Sequence, residues 1–333
     1  MKNRLFALLL LLGFWVSACG AASPTPAASG KLKVVTTVSP ITNIIYNVGG
    51  SRIDLTGIIP EGSDSHTFEP APSTAALFAT ADVVFVNGLH LEEPTRKMAA
   101  ANAKPGSEIV ILGEQTLTPD QYMFDFSFPK SGGNPNPHLW MNPMNALSYA
   151  KIARDTLVRR DPANTDFYNK NFDAYQARLN ALDQAIKTST ATIPEANRKL
   201  LTYHDSFAYF ATRYGLVVIG AIQPADFAEP SAKDVAALIN QIKQEHIPAI
   251  FGSEVFPSPV LAQIAKETGA KYEDSLRDDD LPGVVGDANH SYLGLLSGDV
   301  RTMTTDLGGT PTALDNFDSA NVPGLDSSVD QKQ

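Results

Sequence analysis

Six histidines lie in the chain, at positions 66, 90, 138, 204, 246 and 290, and their settings separate them. His66 ends the polar loop Pro60-Glu61-Gly62-Ser63-Asp64-Ser65-His66, which follows an apolar run ending near Ile59. His138 sits in Asn136-Pro137-His138-Leu139-Trp140, just ahead of a helix start at Asn142-Pro143. His204 closes the run Leu200-Leu201-Thr202-Tyr203, and Asp274 follows the short Lys271-Tyr272 run. Imidazole nitrogen and carboxylate oxygen together make a ligand set for a divalent transition metal. Cys19 is the sole cysteine, so disulfides and thiolate-rich metal sites are excluded and any metal site must use His, Asp or Glu. His90 reads as a loop residue beside the site, and His246 and His290 as surface or capping residues.

His66, His138, His204 and Asp274 are too far apart in sequence for a local motif such as a zinc finger, so the fold must assemble them. Apolar runs at Val34 to Val38, Leu55 to Ile59, Val83 to Val86 and Ile109 to Leu112 read as buried strands. They alternate with helices at Ser39-Pro40 onward, Pro72 to Ala81 and Glu92 to Ala103. A second set follows residue 197, with strands at Leu200 to Tyr203, Leu216 to Ile222 and Ala249 to Phe251 and helices at Ala232 to Gln244 and Pro259 to Thr268. Such alternation predicts an α/β fold of two parallel-sheet lobes. Ligands of open α/β sheets collect beyond the carboxyl ends of strands, where His66 and His204 fall.

Between the lobes, Tyr168, Phe172, Tyr175, Leu179, Leu182 and Ile186 form one helical stripe. They predict one long rigid helix joining the two lobes. The organisation expected is a signal peptide over 1–18, a flexible tether over 19–31 and an N-terminal lobe over 32–160. The linker helix segment over 161–194, a C-terminal lobe over 195–307 and a loose Gly-, Pro- and Ser-rich tail over 308–333 complete it.

The N-terminus begins with Lys2 and Arg4, runs through apolar Leu5 to Val16 and reaches small Ser17 and Ala18 before Cys19, the pattern of a secretory signal. Val16-Ser17-Ala18-Cys19 resembles the bacterial lipobox, which implies that Cys19 is lipidated and becomes the mature N-terminus. The expected location is therefore extracytoplasmic, anchored to a bacterial membrane through acyl chains rather than a spanning helix. A formal charge of −10 argues against nucleic-acid binding.

The segment Ile59 to Pro70, with His66 inside it, resembles the first ligand loop of the zinc and manganese ABC-transporter solute-binding proteins, cluster A-I. Asn87-Gly88-Leu89-His90-Leu91-Glu92, Pro137-His138-Leu139-Trp140-Met141-Asn142-Pro143, His204-Asp205-Ser206-Phe207-Ala208-Tyr209-Phe210 and Asp274-Ser275-Leu276 are similar to further stretches of that family, in order. The resemblance implies a metal at the interface of two lobes, with His66, His138, His204 and Asp274 as ligands. It also implies delivery to an ABC permease with its ATPase subunit. Asn142 stands where the family usually has aspartate, and the loop Phe124 to Pro137 lacks the histidine-rich insert of many zinc-specific members.

Zn²⁺ is the expected cargo, because three nitrogens make a softer shell than Mn²⁺ prefers, with Mn²⁺ the alternative if Asp274 binds through both oxygens. Four protein ligands leave no position for a catalytic water, so the chain is read as a monomeric capture protein and not an enzyme. No Gly-x-x-x-x-Gly-Lys-Ser/Thr pattern occurs, which agrees with ATP being bound elsewhere. A zinc hydrolase using Glu69 or Glu254 as base, and a surface adhesin on the same scaffold, are the competing readings.

Overall fold

In the computed structural model, the described residues are 30–322 apart from 225, 226, 228, 256 and 257. The expected signal peptide, the lipidation site Cys19 and nearly all of the tether lie outside them. No helix among the described residues is long and apolar enough to cross a membrane.

The first half alternates β1 (Leu32–Thr36), α1 (Ser39–Gly49), β2 (Ile53–Gly57), α2 (Thr74–Phe78), β3 (Val83–Val86), α3 (Glu93–Asn102), β4 (Glu108–Ile111) and α4 (Leu112–Thr116), followed by α5 (Pro143–Arg160). Next comes α6 (Thr165–Thr190). The second half runs β5 (Lys199–Thr202), α7 (Ala208–Tyr214), β6 (Val217–Ala221), α8 (Ala232–Glu245), β7 (Ala249–Phe251), α9 (Pro259–Thr268), β8 (Lys271–Glu273) and α10 (Tyr292–Asp306).

Two four-stranded, all-parallel sheets result, in the orders β2-β1-β3-β4 and β6-β5-β7-β8. The two orders are the same topology used twice, although no repeat is visible in the sequence. Parallel strands need long crossovers, and helices therefore cover both sheet faces. The strand β3, Val-Val-Phe-Val, is buried at every position, as that arrangement requires. In each sheet the order reverses at the second strand from one edge, which opens a crevice at the carboxyl ends.

Local chemistry sets the boundaries. Asn142 Oδ1 accepts from the Met144 N–H at 3.0 Å and Pro143 occupies the first turn, so α5 starts there despite the absence of aspartate. Ser231 and Asp234 form a reciprocal capping box on α8. The helix expected over Pro72 to Ala81 is shorter, because after Phe78 the chain closes in tight turns that end with the Ala81 N–H on the carbonyls of Leu77 and Phe78.

The helix α6 has 26 residues, about 39 Å at 1.5 Å per residue. Its stripe of Tyr168, Phe172, Tyr175, Leu179, Leu182 and Ile186 is buried throughout. That stripe lies in one continuous core with Val34 and Phe85 of the first half and Leu200, Phe210 and Leu296 of the second. It packs against α1, α5, α7 and α10. At its far end Asp183 accepts from Arg213 Nε and Nη2, Lys187 Nζ and the Tyr214 hydroxyl.

The tail differs from expectation over its described part. Leu314 and Val322 are buried in the main core. Asn321 Oδ1 accepts from Asn43 Nδ2 and Asn47 Nδ2, and Arg178 reaches Asp318 at 2.8 Å. A polar composition concealed two apolar anchors and a set of amide hydrogen bonds that hold residues 308–322 down.

Candidate metal centre

His66 follows β2 on a loop, His138 precedes the short turn Leu139–Met141 that leads into α5, and His204 follows β5. Their three Nε2 atoms converge. His66 lies 3.1 Å from His138 and 3.2 Å from His204, and His204 lies 2.9 Å from His138. A tetrahedral ion with metal–nitrogen bonds of 2.0–2.1 Å has nitrogen–nitrogen edges of about 3.3 Å, so the three sit close to one face of such a polyhedron. No other group of three or more His, Cys, Asp or Glu among the described residues has that arrangement.

The opposite edges of two rings explain which nitrogens point inward. His138 Nδ1 donates to Asn136 Oδ1 at 2.8 Å, and His204 Nδ1 donates to Gln223 Oε1 at 2.7 Å. The Asn136 amide is oriented in turn, because its Nδ2 donates to Asp125 Oδ2 and to the Asp205 carbonyl. With Nδ1 donating outward, each ring directs its Nε2 toward the centre. Burial, reinforced by the neighbouring imidazoles, holds His66 and His138 well below the usual histidine range. Both rings are thus neutral and ready to ligate at neutral pH.

Aromatic rings close the surroundings. Phe227 stacks on His66 with centroids 4.5 Å apart, and Trp140 meets His138 edge-on at 5.2 Å. His138 and His204 are sealed from solvent, whereas His66 faces a cavity of about 190 Å³ whose lining includes His90, Phe128, Pro137 and Phe227. His90 has a half-exposed side chain 3.9 Å from Glu93 and is not among the grouped imidazoles. It stands on a tight turn in which Gly88 has φ +83 and Leu89 and His90 also take positive φ. A Cβ at 88 would fall 2.3 Å from Ile111 Cγ2, so only glycine fits there. Fully buried Glu92 accepts the N–H groups of Asn87 and Gly88 at 2.5 and 3.1 Å, and Asn87 Nδ2 donates to the Pro137 carbonyl next to His138.

Asp274 is not brought to this cluster: it is exposed, one residue beyond β8. Asp278, four residues on, is buried and places Oδ2 3.9 Å from His204 Nε2. Expectation favoured the carboxylate at the strand end, but the chain carries the buried run Asp278-Asp279-Asp280 past it to the histidines. Burial together with the charge of Asp278 pushes the Asp279 and Glu254 carboxyls well up. His246 caps α8 in the left-handed conformation. Of the surface or capping roles expected for His290, the surface one does not hold: it is buried directly before the α10 N-cap Ser291, with Nδ1 against the Pro282 carbonyl and Nε2 3.6 Å from Glu61.

Asn136, Gln223 and Asp278 were not singled out by sequence reasoning. Asn136 lies two residues before His138 within a quoted motif, and its type, an amide that can accept from an imidazole, was the available signal. Gln223 is 19 residues from His204 and had none.

The fold and site can be set beside known proteins. The metal ABC transporter substrate-binding lipoprotein FimA of Streptococcus parasanguinis is 30% identical over 86% of this chain and 93% of its own. The iron-binding protein YfeA of Yersinia pestis is 30% identical over 92% and 96%. The manganese ABC transporter substrate-binding lipoprotein PsaA of Streptococcus pneumoniae is 29% identical over 86% and 93%. Among solved structures, the periplasmic zinc-binding protein TroA of Treponema pallidum superposes with a TM-score of 0.75 at 25% identity, over 84% of this chain and all but 1% of its own. Residues 34–306 match the family described as ZnuA, zinc-uptake complex component A, periplasmic, and the chain belongs to that family.

Proposed function

We propose that this protein captures a divalent transition-metal ion outside the cytoplasmic membrane and delivers it to an ABC permease whose ATPase subunit drives import. The observation that carries the reading is the convergence of three imidazole Nε2 atoms on one point, two of them on rings held by amide acceptors. His66 and His138 come from the first half of the fold, and His204 and Asp278 from the second. We assign these four as the ligands, with Asp278 replacing the expected Asp274.

The names of the relatives divide among manganese, iron and zinc. A shell of three nitrogens and one carboxylate suits Zn²⁺ first and Mn²⁺ second. Hydrolysis is not favoured, because Glu254, a candidate base, has Oε1 already engaged by the N–H groups of Asp278 and Asp280, and Glu69 is exposed. Anchoring through lipidated Cys19 and a monomeric state complete the proposal.

Elemental analysis of protein purified without added metal, followed by zinc and manganese titrations, tests it. One equivalent of zinc that resists excess manganese is expected. Failure to bind either ion, or binding that survives His138→Ala undiminished, would overturn the site.

A further inference from the structure

The acidic run after β8 divides its work. Asp278 turns its carboxylate toward the histidines, and the next two residues turn away from them onto the loop that carries His66. Asp279 Oδ2 accepts from the Ser65 N–H at 3.1 Å, and Asp280 Oδ2 accepts from the Gly62 N–H at 2.7 Å. These contacts join residues more than 200 positions apart, from opposite halves of the fold.

The run is itself held from three directions. Glu254 Oε1 accepts the N–H groups of Asp278 and Asp280 at 3.0 and 3.1 Å. Asp299 of α10 accepts the Arg277 N–H at 3.1 Å. Trp140, two residues after His138, donates its indole N–H to the Asp278 carbonyl at 2.9 Å. One short segment is thus bonded to the loops of both first-half histidines while carrying the carboxylate.

Resting on the four-ligand reading above, we propose that Asp279 and Asp280 are positioning residues that clamp the His66 loop to the Asp278 segment, so that His66 and Asp278 are delivered to the ion as one preassembled unit. A buried carboxyl oxygen that accepts a backbone N–H is costly to leave unpaired, so these bonds hold the loop in place. A loop bearing a ligand and otherwise free to move would lose conformational freedom on binding, and prior clamping removes that cost from the metal-binding step. Gly62 has φ +78 and is exposed, and its N–H bond to Asp280 ties that end of the loop to the acidic run alongside the Ser63 N–H bond to the Pro60 carbonyl.

Co²⁺ titration followed by its visible ligand-field absorption tests the proposal, alongside thermal melting of the metal-free protein. Asp279→Ala and Asp280→Ala are expected to weaken Co²⁺ binding at least ten-fold each and to alter band intensity, while Asp280→Asn, which keeps an acceptor oxygen, restores most of the affinity. Alanine variants that melt normally yet bind with wild-type affinity and spectrum would overturn it. Should the alanine variants not fold, hydrogen exchange on metal-free wild-type protein decides. The Gly62 and Ser65 amides are expected to be protected, and exchange as fast as in open loops would overturn the clamp. If wild-type protein and His138→Ala both fail to bind Co²⁺, the metal site itself fails; the exchange measurement judges the clamp separately.

Discussion

His138 Nδ1 and Asn136 Oδ1, 2.8 Å apart, form a hydrogen bond that turns Nε2 of the ring toward His66 and His204. Because Asn136 spends both amide protons on Asp125 and the Asp205 carbonyl, its oxygen can only accept, and the ring must present Nε2. Asn136→Ala is expected to lower zinc or manganese affinity about 10- to 100-fold, the usual cost of losing an outer partner of a ligating histidine. Competition with a chelator of known affinity measures it, and an unchanged dissociation constant would refute the orienting role.

The carboxylate assignment separates two aspartates that are four residues apart. Removing Asp278 should open the shell and weaken zinc binding by a factor of about 100 or more, on the order of 3 kcal/mol, the scale for losing a partner from a buried charged set. Removing exposed Asp274 should change affinity less than about two-fold, as surface substitutions do. Isothermal titration of the two alanine variants distinguishes them, and the reverse ranking would return the role to Asp274.

Burial, only partly offset by the N–H groups of Asn87 and Gly88, raises the Glu92 carboxyl from its ordinary value near 4.5 to about 7. Between those two pH values the folded chain holds a proton that the unfolded chain has released. This group's contribution therefore favours folding below about pH 4.5, declines as pH rises through the window, and is flat above 7. Glu92→Gln removes the titration. The stability of wild type relative to this variant should be greater at pH 5 than at pH 8 in urea unfolding, and an equal difference at both would show that Glu92 is ionised throughout.

Leu314 lies in the tail yet is fully buried in the main core. Leu314→Ala should cost about 2–5 kcal/mol, the range for emptying a packed leucine site. Denaturant titration measures this loss, and a change under about 0.5 kcal/mol would mean that the tail is not part of the folded unit.

Much of this molecule was legible from its residues. The α6 stripe, the strands and the three histidines were readable because periodicity and strand-end position report burial directly. Other parts were hidden for physical reasons. The helix α10 is buried around most of its first turns and carries Gly294 and Gly298, so it offers no amphipathic stripe to detect. That Asp278 and not Asp274 lies 3.9 Å from His204 depends on how far a loop travels after its strand, which side-chain type does not encode. Residues 308–322 were concealed because sparse apolar anchors and asparagine bonds between distant positions leave no local pattern.

The spine formed by α6 also bears on how cargo can leave. Its single apolar stripe is shared by both halves, and parting them like jaws would bring Tyr175, Leu179, Leu182 and Ile186 into water, each at about 1.5–3 kcal/mol. Movements that leave this spine packed avoid that cost.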